Sequence, residues 1–336
     1  MTSHRILITA PFDDARLAEL AEGHAVTGAE PLITGGSLAD RGLTDRGIAD
    51  ALSEVEVIVA ELDRIDRATL DAAPRLRLVI SCHANPVNVD LAACAERGVV
   101  VAATPGRNAA VTADFSFALL LATVRRLSES ERWLRAGSWS PDDVFEPYET
   151  FRSIGLSGRT LGIVGGGAVG RRVMRRALGF DMEVQVYDPF LPEDAFGGDA
   201  RIVDLPTLMS TSDIVSVHAP LTPETRGLIG AEELAMLQPT AYLINAGRAA
   251  LIEEEPLMRM LREGRIAGAG FDVFYDEPLS PDSELFDFAN VTLTPHIAGA
   301  SDDVVLEHSR IAVEIFERWA AGETVPHAWT ADGPVR

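Results

Sequence analysis

The chain has 336 residues, 47% apolar and 24% charged, which excludes a disordered or fibrous protein and is long enough for two domains. Its 51 acids against 29 bases give a formal charge of −22, a poor match to nucleic acid or an anionic membrane surface, so neither is expected as a partner. All 29 bases are arginine, so chemistry that needs a lysine amine is excluded, including Schiff-base aldol chemistry and the P-loop lysine.

From the N-terminus, the short apolar run Ile6–Ala10 ends at Pro11 and two aspartates, which reads as a first strand, Arg5–Thr9, rather than a signal peptide. Strands are predicted next at Val55–Ala60, Leu78–Ser81 and Val99–Ala102, with a helix over Asp90–Arg97. Cys82 and Cys94 are the only two cysteines, too few for a disulfide framework or a four-cysteine zinc site, so a reduced, cytoplasmic setting without a bound metal is expected. Thr104-Pro105-Gly106 is a turn signal, and a domain crossing is placed there. One long helix is predicted over Ala110–Ala136; its apolar stretch Phe117–Val124 is far short of the roughly 20 residues of a membrane span.

Beyond it, strands are predicted at Thr160–Val164, Glu183–Tyr187, Ile214–His218, Ala241–Asn245, Gly268–Asp272 and Val291–Leu293, and helices at Val169–Gly179, Glu232–Met236 and Glu253–Arg262. A last amphipathic helix, Asp302–Ala321, carries Val305, Ile311, Ile315 and Trp319 near one face and is a candidate for returning to the first domain. Strand–helix alternation of this kind implies parallel sheets with crossover helices, the α/β class.

The strongest local motif is Gly165-Gly166-Gly167-Ala168-Val169-Gly170, in which Gly165, Gly167 and Gly170 fit G-x-G-x-x-G between a strand and a helix. Such a turn lets the backbone, including Ala168 and Val169, approach a pyrophosphate at a helix N-terminus. Downstream, the strand EVQVYD ends in Asp188, a carboxylate suited to ribose hydroxyls and repulsive to a 2′-phosphate. Pro189 and Phe190 follow it rather than an arginine, which favours NAD over NADP; the plainer alternative is a turn acid before proline. Arg171, Arg172, Arg175 and Arg176 read as a solvated helix face.

Three later segments place polar residues after apolar strands, where open α/β sheets bind ligands: Asn245-Ala-Gly-Arg248, Asp272 through Glu277-Pro278, and Thr294-Pro-His296 through Gly299. A cation, a carboxylate and an imidazole suit oxidation of a 2-hydroxy acid, which needs carboxylate binding, a base and a hydride acceptor. Taken singly, each has a blander reading as surface arginine, turn acid or strand-end histidine.

The order G-x-G-x-x-G, D, SDIVSVHAPLTPETRGLI, NAGR, DVFxxEP, TPH, spread from about Val55 to Gly322, resembles the D-isomer-specific 2-hydroxyacid dehydrogenase family, phosphoglycerate dehydrogenase-like members included. The resemblance implies Arg248 as the group that binds the substrate carboxylate and carbonyl, His296 as acid/base and Glu277 as its partner. It also implies cofactor contacts from His218, Ala219 and Pro220, from Ala246, Gly247, Arg248, His296 and Gly299, and from Asp272 beside the nicotinamide. The implied architecture is an NAD-binding Rossmann domain, residues 106–298, inserted into a flavodoxin-like substrate domain made of residues 1–105 and 299–336. The implied assembly is a homodimer built on the long helix Ala110–Arg135.

The chain departs from the resemblance at Ser81-Cys82-His83-Ala84-Asn85-Pro86-Val87-Asn88-Val89-Asp90, where many members carry glycines whose amides hold the substrate. His83, Ala84 and Asn85 fill that stretch. His83 either hydrogen-bonds a polar substrate tail or packs, and Pro86 lacks a donor, so the amides of Ala84 and Asn85 are the better candidates. A phosphate tail would need basic residues, and Arg64, Arg67, Arg75, Arg77 and Arg107 are available in the first domain. The expected activity is interconversion of a D-2-hydroxy acid and its 2-keto acid with NAD. The alternative is an NAD(H)-sensing, corepressor-like binding protein.

Overall fold

Buried β-branched runs set the strands, and their order sorts the chain into two units. The computed structural model describes residues 3–28, 43–46 and 49–335. Unit one is Met1–Asn108 with Ser301–Arg336, and unit two is Ala109–Ala300.

In unit one, β1 (Arg5–Ile8), β2 (Ala25–Gly28), β3 (Val57–Ala60), β4 (Leu78–Ser81) and β5 (Val100–Ala103) pair in parallel in the order β5-β4-β3-β1-β2, and the C-terminal hairpin Ala328–Thr330/Gly333–Pro334 adds antiparallel to β5. The parallel part is the flavodoxin-like order. β3 and β4 are buried along their whole length, as a sheet covered on both faces requires. One face packs with Leu52, Ile65, Leu70 and Val101; the other is covered partly by the C-terminal helix Asp302–Ala320 through Ile311, Ile315 and Phe316. That helix does return to the first unit. Its buried stripe is Val304, His308, Ile311, Ala312 and Ile315, with Val305 and Trp319 only half-buried at the margins, a small rotation from the face expected.

In unit two, β6 (Thr160–Val164), β7 (Glu183–Tyr187), β8 (Arg201–Ile202), β9 (Ile214–Val217), β10 (Tyr242–Asn245), β11 (Gly268–Phe271) and β12 (Val291–Leu293) form one parallel sheet in the order β12-β11-β10-β9-β6-β7-β8. Counted within the unit this is 3-2-1-4-5-6 with one strand more, the dinucleotide-binding order, whose direction reverses between β6 and β9. Helices Ala109–Val124 and Ala168–Leu178 cover one face, and Leu205–Thr211, Ala231–Met236 and Glu254–Arg262 cover the other.

The single long helix expected over Ala110–Ala136 is two: Ala109–Val124 and Leu127–Arg135. The break is Arg126, in the left-handed region at φ 54°. Its guanidinium makes two 2.7 Å bonds to Glu129 and lies 5.3 Å over the Phe151 ring, contacts that offset the cost of that backbone. The first of the two is buried on most sides and rides so close to the sheet that a Cβ on Gly270 would sit 2.6 Å from Thr123 Oγ1. Among the described residues no helix is long and apolar enough to cross a membrane.

Candidate active site

Gly165 follows β6 and turns at φ +100° with the β9 loop so close that a Cβ would lie 2.5 Å from the Ala219 nitrogen. A Cβ on Gly170 would lie 2.1 Å from the Gly165 carbonyl oxygen, so the helix Ala168–Leu178 can press onto its own turn only with glycine there. Gly167, the N-cap, would meet nothing within 4 Å, which leaves open space beside the first amides of the helix, Ala168 and Val169. These features form a cradle that an anion can enter and a side chain would fill. Asp188, one residue past β7, accepts from the Gly166 amide at 2.9 Å and from Phe190 N–H at 3.1 Å, so it ties the two strand ends together. Arg171 turns away, donating to the Ala195 carbonyl at 3.1 Å and lying 4.5 Å over Phe196.

Past β9, His218 N–H reaches the Val164 carbonyl at 2.7 Å and its Nε2 lies 2.8 Å from Ser216 Oγ. Burial pushes its imidazole down to about 4, so it is neutral near pH 7. Ala219 and Pro220 continue the loop against Gly165. At the end of β10, Asn245 is 1% exposed; its side chain accepts from Gly247 N–H and donates to the Arg248 carbonyl, both at 3.0 Å. That clamp shapes the turn over buried Ala246 and leaves Arg248 exposed, its Nη1 donating to the Gly247 carbonyl at 2.7 Å.

His296 follows β12 with φ at 54°, a conformation a non-glycine residue holds only when its surroundings impose it. Asp272, past β11, imposes it. Its carboxylate is fully buried and accepts from Thr294 Oγ1 at 2.6 Å, Ile297 N–H at 3.0 Å and Ala298 N–H at 2.8 Å, gripping the chain on both sides of His296. The structure engages both of its oxygens with the histidine loop, an anchoring role the sequence did not suggest. Gly299 closes that loop, half-buried.

His296 Nδ1 is 2.7 Å from Glu277 Oε2, and Glu277 Oε1 accepts from Phe274 N–H at 3.0 Å. Burial alone would raise the Glu277 carboxyl, but the bonds from His296 and the Phe274 amide, with Arg248 nearby, outweigh it and hold it below the usual range. A carboxylate accepts, so Nδ1 donates, and Nε2 has no protein partner among the described residues. The pair lines a cavity of about 620 Å³ with Phe274, Pro278, Phe286 and Leu293.

In unit one, the β4 loop is strapped by Ser81 Oγ to Asn88 Oδ1 at 2.7 Å and Asn88 Nδ2 to the Asp63 carbonyl at 2.9 Å. Ala84 and Asn85 are exposed, and their N–H groups donate to no protein group among the described residues. His83 is half-buried, Nε2 2.7 Å from the Glu61 carbonyl.

A family model described as "D-isomer specific 2-hydroxyacid dehydrogenase, NAD binding domain" matches residues 117–298. A glyoxylate reductase of Thermococcus litoralis is 38% identical over 290 residues, 85% of this chain and 87% of that protein. The TT0316 protein of Thermus thermophilus superposes with a TM-score of 0.77 at 33% identity, covering 99% of this chain and 100% of the other. The NADPH-dependent glyoxylate/hydroxypyruvate reductase of Sinorhizobium meliloti, solved with NADP and malonate, does so at 0.72 and 30%, covering 100% and 99%. The chain belongs to the D-isomer-specific 2-hydroxyacid dehydrogenase family, NAD-dependent oxidoreductases.

Proposed function

We propose that this protein reduces a short 2-keto acid to the D-2-hydroxy acid, and catalyses the reverse, with His296 as the acid/base, Glu277 as its partner and Arg248 as the carboxylate-binding cation. The observation that carries the reading is the His296–Glu277 contact of 2.7 Å at a strained strand end. When bound, NAD(H) supplies or accepts the hydride at the substrate's C2. In reduction, His296 gives a proton from Nε2 to the nascent alkoxide, and Glu277 stabilises the imidazolium that precedes this step and fixes the ring. Arg248, always charged and forked, binds the carboxylate and polarises the carbonyl. Asp272 keeps His296 in place.

Gly165, Gly167, Ala168, Val169 and Gly170 would hold the pyrophosphate and Asp188 the adenosine ribose; His218, Ala219, Pro220, Ala246, Gly247 and Gly299 would border the rest. The amides of Ala84 and Asn85 and the His83 ring are proposed as substrate contacts. The relatives' names make glyoxylate the first substrate to test.

The test is NADH fluorescence titration followed by turnover of 2-keto acids. His296→Ala should lower kcat by about 10²–10⁴, while the NADH dissociation constant changes only a few-fold, since the pyrophosphate and the adenosine ribose are assigned to Gly165–Gly170 and Asp188. Near-wild-type turnover would assign the proton to another group. NADH binding without turnover in the wild type would favour a sensor. Run with NADPH, the assay should show much lower efficiency, because the Asp188 carboxylate repels a 2′-phosphate.

A further inference from the structure

At the end of unit two opposite the proposed acid/base, three arginines line a cavity of about 300 Å³. Tyr242, the first residue of β10, and Thr292, the second of β12, form its sheet side, whereas Arg248 and His296 follow the far ends of those same strands. The other wall is the break at Arg126, the helix Leu127–Arg135 with Arg132, and Arg152 further on. All of these residues belong to one unit.

Pairing inside the cavity leaves a surplus of positive charge. Among the described residues Glu129 is the only carboxylate in its lining, and its two oxygens accept from Arg126 at 2.7 Å each. Arg132 donates from Nε to the Ser128 carbonyl at 3.2 Å, one turn back on its own helix, and its two terminal nitrogens have no protein acceptor among the described residues. Arg152 has none there either. In a chain of formal charge −22, two uncompensated guanidinium groups in one cavity are not a by-product of composition.

The sheet side adds a donor. Tyr242 is 9% exposed, yet its hydroxyl has no hydrogen-bond partner among the described residues. A buried phenol ordinarily finds one. Burial pushes this phenol above its ordinary range, with the Arg126 charge opposing, so the group is protonated and donates. The half-buried Thr292 hydroxyl is likewise uncommitted. Guanidinium groups only donate, so what satisfies this set is an acceptor that carries negative charge. Exposed arginines alone would not define a site; the buried hydroxyl in the same cavity does. The volume suits a compact oxyanion rather than a dinucleotide.

We infer that this cavity is an anion-binding site for a phosphate group, free or on a small ester, held by Arg132, Arg152 and the Tyr242 hydroxyl. The bound anion joins the helix Leu127–Arg135 to the starts of β10 and β12.

The experiment is calorimetric titration of the NADH-saturated protein with inorganic phosphate and with glycerol 3-phosphate, at an ionic strength fixed with sodium chloride. Phenylglyoxal modification, mapped by peptide mass spectrometry, reads the site directly. Saturating NADH covers the glycine cradle, the other place where a phosphate group is expected. A dissociation constant of about 1 mM or below is expected for at least one of the two probes, and the tighter one tells whether the free ion or the ester is the natural source. Arg132→Gln and Arg152→Gln should each weaken binding about tenfold, the loss of a charge-assisted hydrogen bond, and Tyr242→Phe should weaken it several-fold. Both arginines are exposed, so their variants should melt as the wild type does without phosphate and bind NADH unchanged. Phosphate should slow modification of Arg132 and Arg152, while exposed Arg259 on the helix Glu254–Arg262 reacts at its usual rate. Failure of both probes to protect the two arginines, equal protection by chloride, or binding undiminished in both arginine variants overturns the site.

Discussion

The proposed acid/base residue is held by an acid that never needs to touch the reacting atoms. Asp272 spends its charge on the backbone around His296, and Glu277 spends its own on the ring. Both were visible in the sequence as acids near a motif, but only the distances divide their labour, because spacing along the chain cannot show which carboxylate a loop folds over. His218 shows the same limit: a strand-end histidine in sequence, it is a neutral ring in the fold, pushed from 6.5 to about 4 by burial. Because its folded value is lowered, the unfolded chain takes up the proton first. Its contribution to stability is whole above pH 6.5 and drains as pH falls toward 4. Melting temperature should therefore drop on acidification from pH 7 to pH 5, and His218→Asn should flatten that drop. An identical pH profile in the variant would assign the loss to other groups, among them His83 and His308, whose values are also lowered by burial.

At the level of elements, buried parallel strands were easy to read because they are continuous runs of Val, Ile and Leu. Strands Ala25–Gly28 and Arg201–Ile202 escaped because they lie at sheet edges and are largely exposed, so no apolar run marks them. The break at Arg126 escaped because a left-handed arginine leaves no trace in hydrophobic periodicity. The glycine loop was legible as a pattern, and the structure separates its members. Gly170→Ala would ordinarily favour a helix, yet its Cβ would strike a backbone oxygen at 2.1 Å, so it should lower both melting temperature and NADH affinity. Gly167→Ala meets no protein atom within 4 Å and should leave the melting temperature nearly unchanged while weakening NADH binding about tenfold or more. If Gly167→Ala binds NADH normally, the pyrophosphate does not occupy that space.

At the scale of the molecule, exposed apolar side chains offer a surface for the expected homodimer. Helix Ala109–Val124 leaves only Ala110, Asp114 and Ala118 exposed, whereas Leu127, Leu134, Trp139, Phe145 and Tyr148 are each more than half exposed on the segment that follows. A cluster of that kind is costly to leave in water. We expect the wild type to sediment as a dimer at micromolar concentration, and Trp139→Glu with Tyr148→Glu to sediment as a monomer. A monomeric wild type would refute the assignment.

The way unit one is stitched from both ends of the chain sets an order on synthesis. A ribosome extends the chain from its N-terminus, and domains generally fold as units as they emerge. Residues 109–300 hold every strand of their sheet in one stretch and can fold as soon as they are released. Residues before them cannot finish, because Ile311, Ile315 and Phe316, which cover part of one face of the first sheet, are made only after unit two. During that interval Ile6, Ile8, Val57 and Ile80 lack part of their cover. The nascent protein should carry a folded unit two and an unfinished, aggregation-prone unit one until the helix Asp302–Ala320 is released.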